Sequence, residues 1–220
     1  MPLKALVFDA YGTLFDVHSV IARCEALWPG QGAALSHLWR AKQLEYSWLR
    51  SLMGRYVDFE TITADALRYA CKALDLACDD TRLHDLMEAY RNLDTFPEVP
   101  DVISALQGRK RAILSNGSPD MLNAVVRHSG LEASLDVVLS VDSLKIYKPD
   151  PRVYQLAVET LAFDREGIGF VSSNCWDACG ARNFGFQSFW INRPGNPVDE
   201  LGAMPDRVLS NLSDLLPMLS

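Results

Sequence analysis

The 220-residue sequence predicts an α/β fold, a doubly wound, mainly parallel, Rossmann-like sheet interrupted by one inserted all-helical segment. Two observations predict it. Short runs of apolar residues alternate with helical stretches, and these runs are continuously apolar. Continuous runs indicate strands that are buried on both faces, as in a parallel sheet. Between residues 16 and 97 no strong strand signal occurs, and apolar residues recur at helical spacing instead.

The apolar runs and their flanking residues predict the individual elements. Ser118 and Asp150 each precede a proline and predict the starts of helices that run to about residues 128 and 161. Gly185 predicts the end of a helix that begins near Asn174. The predicted strands are Ala5–Phe8, Ala112–Leu114, Val137–Leu139, Ile168–Val171, Phe189–Ile191 and Arg207–Leu209.

The helical signal predicts an insertion into the α/β domain soon after its first strand. Residues 1–15 and 98–220 would form the α/β core domain, and residues 16–97, called the helical insert from here on, would form a subdomain. Residues 193–205 are rich in proline and glycine and predict a loop.

Composition excludes several classes of protein. The chain has 21 Lys and Arg against 28 Asp and Glu, a net charge of −7, and no basic run, which argues against nucleic acid as a partner. No stretch of 18 apolar residues occurs, and the N-terminus does not resemble a signal peptide, so no membrane association is expected. Five cysteines, at spacings that suit neither a zinc ribbon nor a disulfide framework, predict reduced thiols and a cytoplasmic protein.

Polar residues follow the ends of four predicted strands. Asp9 follows the first, Ser115 and Asn116 follow the second, Lys148 lies after the third, and Asp177 lies after the fourth. Ligands of open α/β sheets bind at the carboxyl ends of strands, so these side chains predict one site. Each also has an ordinary structural interpretation, as a turn residue, a helix cap or a solvated surface charge.

The order of these residues resembles the haloacid dehalogenase superfamily, and the helical insert is similar to its cap. Most members of that superfamily are phosphatases with an Asp-x-Asp motif and further carboxylates that hold Mg²⁺. This sequence departs from that pattern. Tyr11 stands at the second Asp position, and Ser172, Ser173 and Asn174 stand where carboxylates are expected.

The departures have a chemical meaning. An alkoxide leaving group needs a proton and a phosphoryl group needs a cation, whereas a halide leaves as a weak base and a carboxylate substrate needs no metal. The pattern therefore resembles the L-2-haloacid dehalogenase family, with no metal and no cofactor expected. The similar segments are DAYGT, LWRAKQLEYSWLRSLM, LSNGSPDML, YKPDPRVY and FVSSNCWDACGARNFG.

The resemblance implies a set of catalytic residues, most of which follow the ends of strands. Asp9 would be the nucleophile that attacks C2 of the substrate, and Thr13 would orient its carboxylate. Lys148 and Asp177 would form a charge pair beside Asp9, in which the ammonium favours the ionised nucleophile. The implied catalytic residues are Asp9, Thr13, Arg40, Ser115, Lys148, Tyr154, Ser172, Asn174 and Asp177.

The resemblance also implies how the substrate is held. Arg40 and Asn116 would receive the halide, Ser115 would hold the substrate carboxylate, and Ser172 and Asn174 would position the hydrolytic water. Candidates for the apolar wall around C2 are Tyr11, Leu44, Phe59 and Trp176, and plain core packing is an equally good interpretation for Leu44 and Phe59. Ala41 stands where the family often has a larger polar residue, which could widen the pocket near the halide end.

The expected activity is hydrolysis of short L-2-haloalkanoic acids to D-2-hydroxy acids and halide. Two alternatives stay open at this point: a Mg²⁺-dependent phosphatase of the same superfamily, and a catalytically silent protein that binds a small anion. The resemblance also suggests a homodimer. Trp48, Leu49, Leu52 and Met53 form an apolar cluster larger than one helix needs to cover a small core, and we expect it to contribute to the interface.

Overall fold

The structure is a computed structural model, and it describes residues 2–219, with the side chains of His18 and Ser19 left out of the description. Within these residues, one sheet of six strands has the order β3-β2-β1-β4-β5-β6, and every neighbouring pair is parallel. The doubly wound α/β prediction is confirmed. The strands are β1 (Ala5–Phe8), β2 (Lys110–Ser115), β3 (Val137–Ser140), β4 (Ile168–Ser172), β5 (Gln187–Ile191) and β6 (Arg207–Leu209).

Helices cover both faces of the sheet and make up the helical insert, where the sequence predicts helix and no strand. Short 3₁₀ turns add to the connections. The α-helices are α1 (His18–Leu27), α2 (Gly32–Leu52), α3 (Phe59–Ala73), α4 (Asp80–Ala89), α5 (Val99–Ala105), α6 (Pro119–His128), α7 (Pro151–Leu161) and α8 (Cys175–Phe184).

The predicted helix boundaries are confirmed where a cap carries the signal. The Ser118 side chain accepts a hydrogen bond from the backbone N–H of Met121, and the Asp150 side chain accepts one from that of Arg152. Gly185 ends α8 with a φ of 112°, a left-handed conformation that glycine adopts without strain. None of the described helices has the length and apolarity needed to cross a membrane.

Strand β1 lies in the interior of the sheet, where it pairs with β2 on one side and β4 on the other. All its residues are fully buried. Burial of a large apolar side chain contributes about 1.5–3 kcal/mol, so this strand anchors the core. The continuous run of apolar residues in the sequence reflects this burial on two faces.

Strand β2 is longer than its predicted extent of residues 112–114. It begins with Lys110 and Arg111, two charged residues that lie outside the apolar run from which the strand is predicted. Both pair through their backbone with β1, while their side chains lie at the sheet edge and contact Asp136. Backbone pairing does not require an apolar side chain, so polar strand ends carry no signal in the sequence.

Candidate active site

The strand order reverses between β1 and β4, which creates a crevice at their carboxyl ends. Asp9 follows β1 directly, and its backbone N–H donates to the carbonyl oxygen of Val171 on β4 at 2.9 Å. Asn174 and Asp177 follow β4 on the first turn of α8. Two loops far apart in sequence therefore meet here, as the sequence analysis predicts for the strand-end residues.

The Asp9 carboxylate has a hydrogen-bond partner on each oxygen. Oδ1 accepts from Lys148 Nζ at 3.1 Å, and Oδ2 accepts from Asn174 Nδ2 at 3.0 Å and from Thr13 Oγ1 at 3.2 Å. Asp9 is 7% exposed, so one side remains open while the rest is enclosed. The carboxylate is held in a fixed orientation, which is what a nucleophile needs.

Lys148 lies between two carboxylates and is almost fully buried. Its Nζ donates to Asp177 Oδ2 at 2.9 Å as well as to Asp9, and it lies 4.9 Å from the centre of the Phe170 ring. Burial lowers the pKa of the ammonium, but the charges of Asp177 and Asp9 outweigh burial and leave this pKa above its ordinary value. Lys148 therefore stays charged between the two carboxyl groups.

Asp177 is fully buried, and Tyr154 holds it from the side opposite Lys148. The Tyr154 hydroxyl donates to Asp177 Oδ1 at 2.8 Å and lies 3.2 Å from the Asp177 carbonyl oxygen. Burial raises the pKa of Asp177 to about 6, against the lowering effects of Lys148 and of the Tyr154 hydrogen bond. Burial and the nearby Asp177 also raise the pKa of Tyr154, which stays a neutral donor. Asp177 is therefore linked to Asp9 through Lys148.

Ser173, which follows β4, contacts Thr13 in the loop after β1, although the sequence predicts no role for it. The Thr13 hydroxyl lies 3.2 Å from both Asp9 Oδ2 and Ser173 Oγ, and it accepts from the Ser173 backbone N–H at 2.8 Å. Gly12 has a φ of 84°, and a side chain there would come within about 3.1 Å of Ser173 Oγ. The glycine allows the loops after β1 and β4 to approach each other.

Three predicted polar residues make hydrogen bonds that shape the surrounding loops. Asn116 Oδ1 accepts from the Lys148 backbone N–H, Ser115 Oγ from that of Gly117, and Ser172 Oγ from that of Asn174, each at 3.1 Å. In each case the side-chain oxygen accepts, so the Asn116 amide and the serine hydroxyls keep hydrogens to donate. Their predicted roles toward substrate, halide and water stay predictions.

Arg40 reaches the site from α2 of the helical insert. Its Nη2 lies 3.5 Å from Asn174 Oδ1, and Nη1 donates to Gln43 Oε1 at 2.5 Å. A cavity of about 180 Å³ borders it, lined in part by Tyr11, Asn174 and Arg193. A cationic group thus faces Asn174, which contacts Asp9, and the predicted role of Arg40 toward the halide stays a prediction.

The apolar candidates divide into two groups. Tyr11 is 3% exposed and stacks on Phe59, with ring centres 6.5 Å apart, and its hydroxyl has no hydrogen-bond partner within the described residues. Trp176 makes an edge-to-face contact with Trp48 of α2, with ring centres 5.3 Å apart. Leu44 is half-buried on α2, one turn after Arg40. Tyr11 and Phe59 pack in the core, whereas Leu44 and Trp176 keep part of their surface exposed.

Arg193 contacts the loop after β1 at Gly12 and Thr13. The sequence does not predict this contact, because the proline-rich segment around Arg193 predicts only a loop. Its guanidinium donates to the carbonyl oxygens of Gly12 at 3.0 Å and Thr13 at 3.2 Å, and it pairs with Glu98 at 2.8 Å. A single arginine in a loop carries no sequence signal for such a contact, since its partners are backbone atoms.

Metal-ligand geometry gives no further site. In residues 2–219, no group of three or more His, Cys, Asp or Glu side chains is arranged to hold a metal ion.

A surface concavity of about 790 Å³ lies at the opposite edge of the sheet, beside the amino ends of β1 and β2. Its cations have partners of their own: Lys110 pairs with Asp136, and Arg109 donates to the carbonyl oxygens of Leu3 and Leu219.

The fold and the site together define a class of protein. A family model described as haloacid dehalogenase-like hydrolase matches residues 3–185. The (S)-2-haloacid dehalogenase of Pseudomonas sp. (strain YL) is 54% identical over 212 residues, which cover 96% of this chain and 91% of that relative. The chain belongs to the L-2-haloacid dehalogenase family, and it is a hydrolase.

Solved structures agree with this assignment. The crystal structure of an L-2-haloacid dehalogenase, 46% identical, has a TM-score of 0.98 and matches 100% of this chain and 99% of its own. The L-2-haloacid dehalogenase of Xanthobacter autotrophicus with chloropropionic acid covalently bound is 42% identical, with a TM-score of 0.92 and coverage of 99% and 98%. The family resemblance found in the sequence is confirmed.

Proposed function

We propose that this chain hydrolyses short L-2-haloalkanoic acids to D-2-hydroxy acids and halide, through an ester on Asp9 and without a metal ion. The observation that carries the proposal is the environment of Asp9. It is a buried carboxylate held by Lys148, Asn174 and Thr13, with Tyr11 at the position where phosphatases of the superfamily have a second carboxylate. The solved relative that holds chloropropionic acid covalently supports the same chemistry.

The first step forms one bond and breaks another. An Asp9 carboxylate oxygen attacks C2 of the haloacid from the face opposite the halogen, the C–O bond forms, and the halide leaves with the electron pair of the C–halogen bond. Attack from the opposite face inverts C2. Arg40 and Asn116 are proposed to donate hydrogen bonds to the departing halide, on which negative charge develops as the bond breaks.

The second step restores the enzyme. Water attacks the carbonyl carbon of the Asp9 ester, and the bond between that carbon and the ester oxygen attached to C2 breaks. The 2-hydroxy acid leaves with this former Asp9 oxygen and takes up one proton of the water, whose oxygen stays in the Asp9 carboxylate. One proton is released to solvent over the whole reaction. Asn174 and Ser172 are proposed to position this water, and Lys148 to stabilise the negative charge of the intermediate, since its ammonium already contacts Asp9 Oδ1.

The amino acid at the second Asp position argues against the phosphatase alternative. Burial raises the pKa of Tyr11 above its ordinary value, and its hydroxyl lies in an aromatic cluster with Phe15, Phe59 and Tyr90. A carboxylic acid at this position would protonate an alkoxide leaving group, whereas a halide needs no such proton.

Halide release from L- and D-2-chloropropionate, assayed separately with and without EDTA, tests the proposal. We expect release from the L form only, at a rate that the chelator does not change. Turnover of phosphate esters with Mg²⁺ and none of either haloacid would favour the phosphatase. Binding of haloacid without turnover would favour the silent anion-binding protein.

We also propose the arrangement of the whole protein: residues 16–97 act as a cap subdomain over the core, and the enzyme is a cytoplasmic homodimer. Leu49, Leu52, Met53 and Tyr69 are exposed on α2 and α3, with Leu52 84% exposed. Covering such side chains with a second copy removes apolar surface from water.

We expect light scattering to give twice the 24.5 kDa chain mass, and Leu52→Glu to lower it toward one chain. A monomeric wild-type protein would refute the dimer.

A further inference from the structure

A chain of buried hydrogen bonds runs through the helical insert and ends at Arg40. Gln43 is fully buried on α2, and its Oε1 accepts from Arg40 Nη1 at 2.5 Å. Its Nε2 donates to Thr63 Oγ1 at 2.7 Å, and the Thr63 hydroxyl donates to the Phe59 carbonyl oxygen at 2.6 Å. Trp39 Nε1 donates to the Thr63 carbonyl oxygen at 2.8 Å, which fixes α2 against α3.

The chemistry of the groups fixes the direction of this chain. A guanidinium can only donate, so the oxygen of the Gln43 amide must face Arg40. The Thr63 hydroxyl uses its hydrogen toward Phe59, so it can only accept from Gln43. A flipped amide would set two donors against each other at one end and two acceptors at the other. Gln43 therefore has one favourable orientation, fixed by Thr63 on α3.

Arg40 lies between this amide and the nucleophile. On its other side Nη2 lies 3.5 Å from Asn174 Oδ1, and Asn174 Nδ2 donates to Asp9 Oδ2 at 3.0 Å. A neutral acceptor at position 43 restrains the guanidinium but leaves its positive charge uncancelled. A carboxylate at the same place would hold Arg40 equally well but would pair with its charge inside the protein.

We infer that Gln43 is a positioning residue for the departing halide: its neutral amide holds Arg40 at the halide end of the site with its charge available. This inference rests on the proposed function. A donor that is oriented before the reaction stabilises the negative charge that appears as the carbon–halogen bond breaks. Chloride is a poorer leaving group than bromide, so cleavage of a carbon–chlorine bond depends more on this donor.

The test compares kcat/KM for L-2-chloropropionate and L-2-bromopropionate in matched variants. Gln43→Met keeps the length of the side chain and removes the acceptor, and Thr63→Val removes the hydroxyl that orients it. Ser47→Ala is the control, because Ser47 is buried on the same helix and bonds only within it, to the Leu44 carbonyl oxygen. Circular dichroism and thermal melting establish that each variant is folded.

We expect Gln43→Met to lower kcat/KM for the chloro substrate about tenfold or more, the range for loss of a hydrogen bond to a charged group. The loss with the bromo substrate should be smaller, so the bromo-to-chloro ratio rises. Thr63→Val should shift the ratio the same way by less, and Ser47→Ala should leave it unchanged. Gln43→Glu should also lower turnover of the chloro substrate most, since its carboxylate cancels the charge.

The ratio is the decisive measurement, because a purely structural defect lowers both activities together. An unchanged ratio in folded Gln43→Met and Thr63→Val, beside an active wild-type enzyme, overturns the inference and leaves the proposed function intact. If Gln43→Met does not fold, the ratio in Thr63→Val decides alone. A wild-type protein that releases halide from neither substrate refutes the proposed function instead.

Discussion

Replacing Asp9 with asparagine is expected to lower halide release by at least about four orders of magnitude, the scale seen when a covalent nucleophile is removed. The amide keeps the shape of the side chain, and its single oxygen can accept either from Lys148 or from Thr13 and Asn174, which contact different oxygens of Asp9. Haloacid binding should therefore survive. Halide assays measure the activity. Isothermal titration with L-2-chloropropionate measures the binding.

The covalent intermediate gives this prediction a second readout. Wild-type enzyme quenched with acid during turnover should carry an added mass equal to the substrate without its halogen, and Asp9→Asn should not. Asp101→Asn is the matched control, since Asp101 is exposed on the first turn of α5 and should leave turnover unchanged. Sustained turnover by Asp9→Asn, with deamidation excluded by mass spectrometry, would falsify the nucleophile assignment.

Replacing Lys148 with methionine is expected to cost both activity and stability. Lys148 is 1% exposed and contacts Asp9 at 3.1 Å and Asp177 at 2.9 Å, so its removal leaves two enclosed carboxylates without their shared cation. Loss of one partner from a buried ion pair typically lowers the free energy of unfolding by about 3–5 kcal/mol. Urea denaturation measures this loss, and halide release should fall to background.

The double variant Lys148→Met/Asp177→Asn shows whether Lys148 stabilises the protein through its charge or through its packing. It removes one negative charge together with the positive one, so we expect it to recover most of the lost stability while staying inactive. If the double variant is no more stable than Lys148→Met, then Lys148 contributes through packing and not through its charge.

The pH dependence of the Lys148→Met variant has a definite sign. Burial already raises the pKa of Asp177 to about 6 from an ordinary value of 3.8, and loss of the ammonium raises it further. The folded variant then binds a proton that the unfolded chain lacks, so the free energy of unfolding increases as the pH falls toward about 4. Urea denaturation at pH 8 and pH 6 should show the variant less destabilised at the lower pH.

The fold could be predicted because its strongest signals are local. The β1 run is apolar throughout because both faces of that strand are covered, and Ser118, Asp150 and Gly185 mark helix ends through their own backbone chemistry. Polar strand ends are missed because the prediction depends on apolar side chains. Lys110 and Arg111 pair through backbone atoms that the side-chain pattern does not reveal.

The part of the site that could be predicted consists of the residues that follow the ends of successive strands. Asp9, Lys148 and Asp177 are each ambiguous alone, and only the fold brings them within hydrogen-bond distance. Gln43 and Arg193 could not be found this way. The roles of a glutamine on the buried face of a helix and of an arginine in a loop depend on partners that are distant in sequence, such as Thr63 for Gln43 and the Gly12 carbonyl oxygen for Arg193.

The central position of β1 has a consequence for synthesis on the ribosome. This strand is made first, yet its partner β4 begins at Ile168, so at about 5–20 residues per second roughly 8–30 s pass before both neighbours exist. Both edges of this apolar strand are unpaired until β2 is made, and the edge that pairs with β4 stays unpaired until the end of the interval, which is a hazard for aggregation. The helices of the insert form local contacts and can fold during this interval. The strand that leads into Asp9 is therefore translated before the other described strands, but its pairing in the sheet is completed only once β4 has been made.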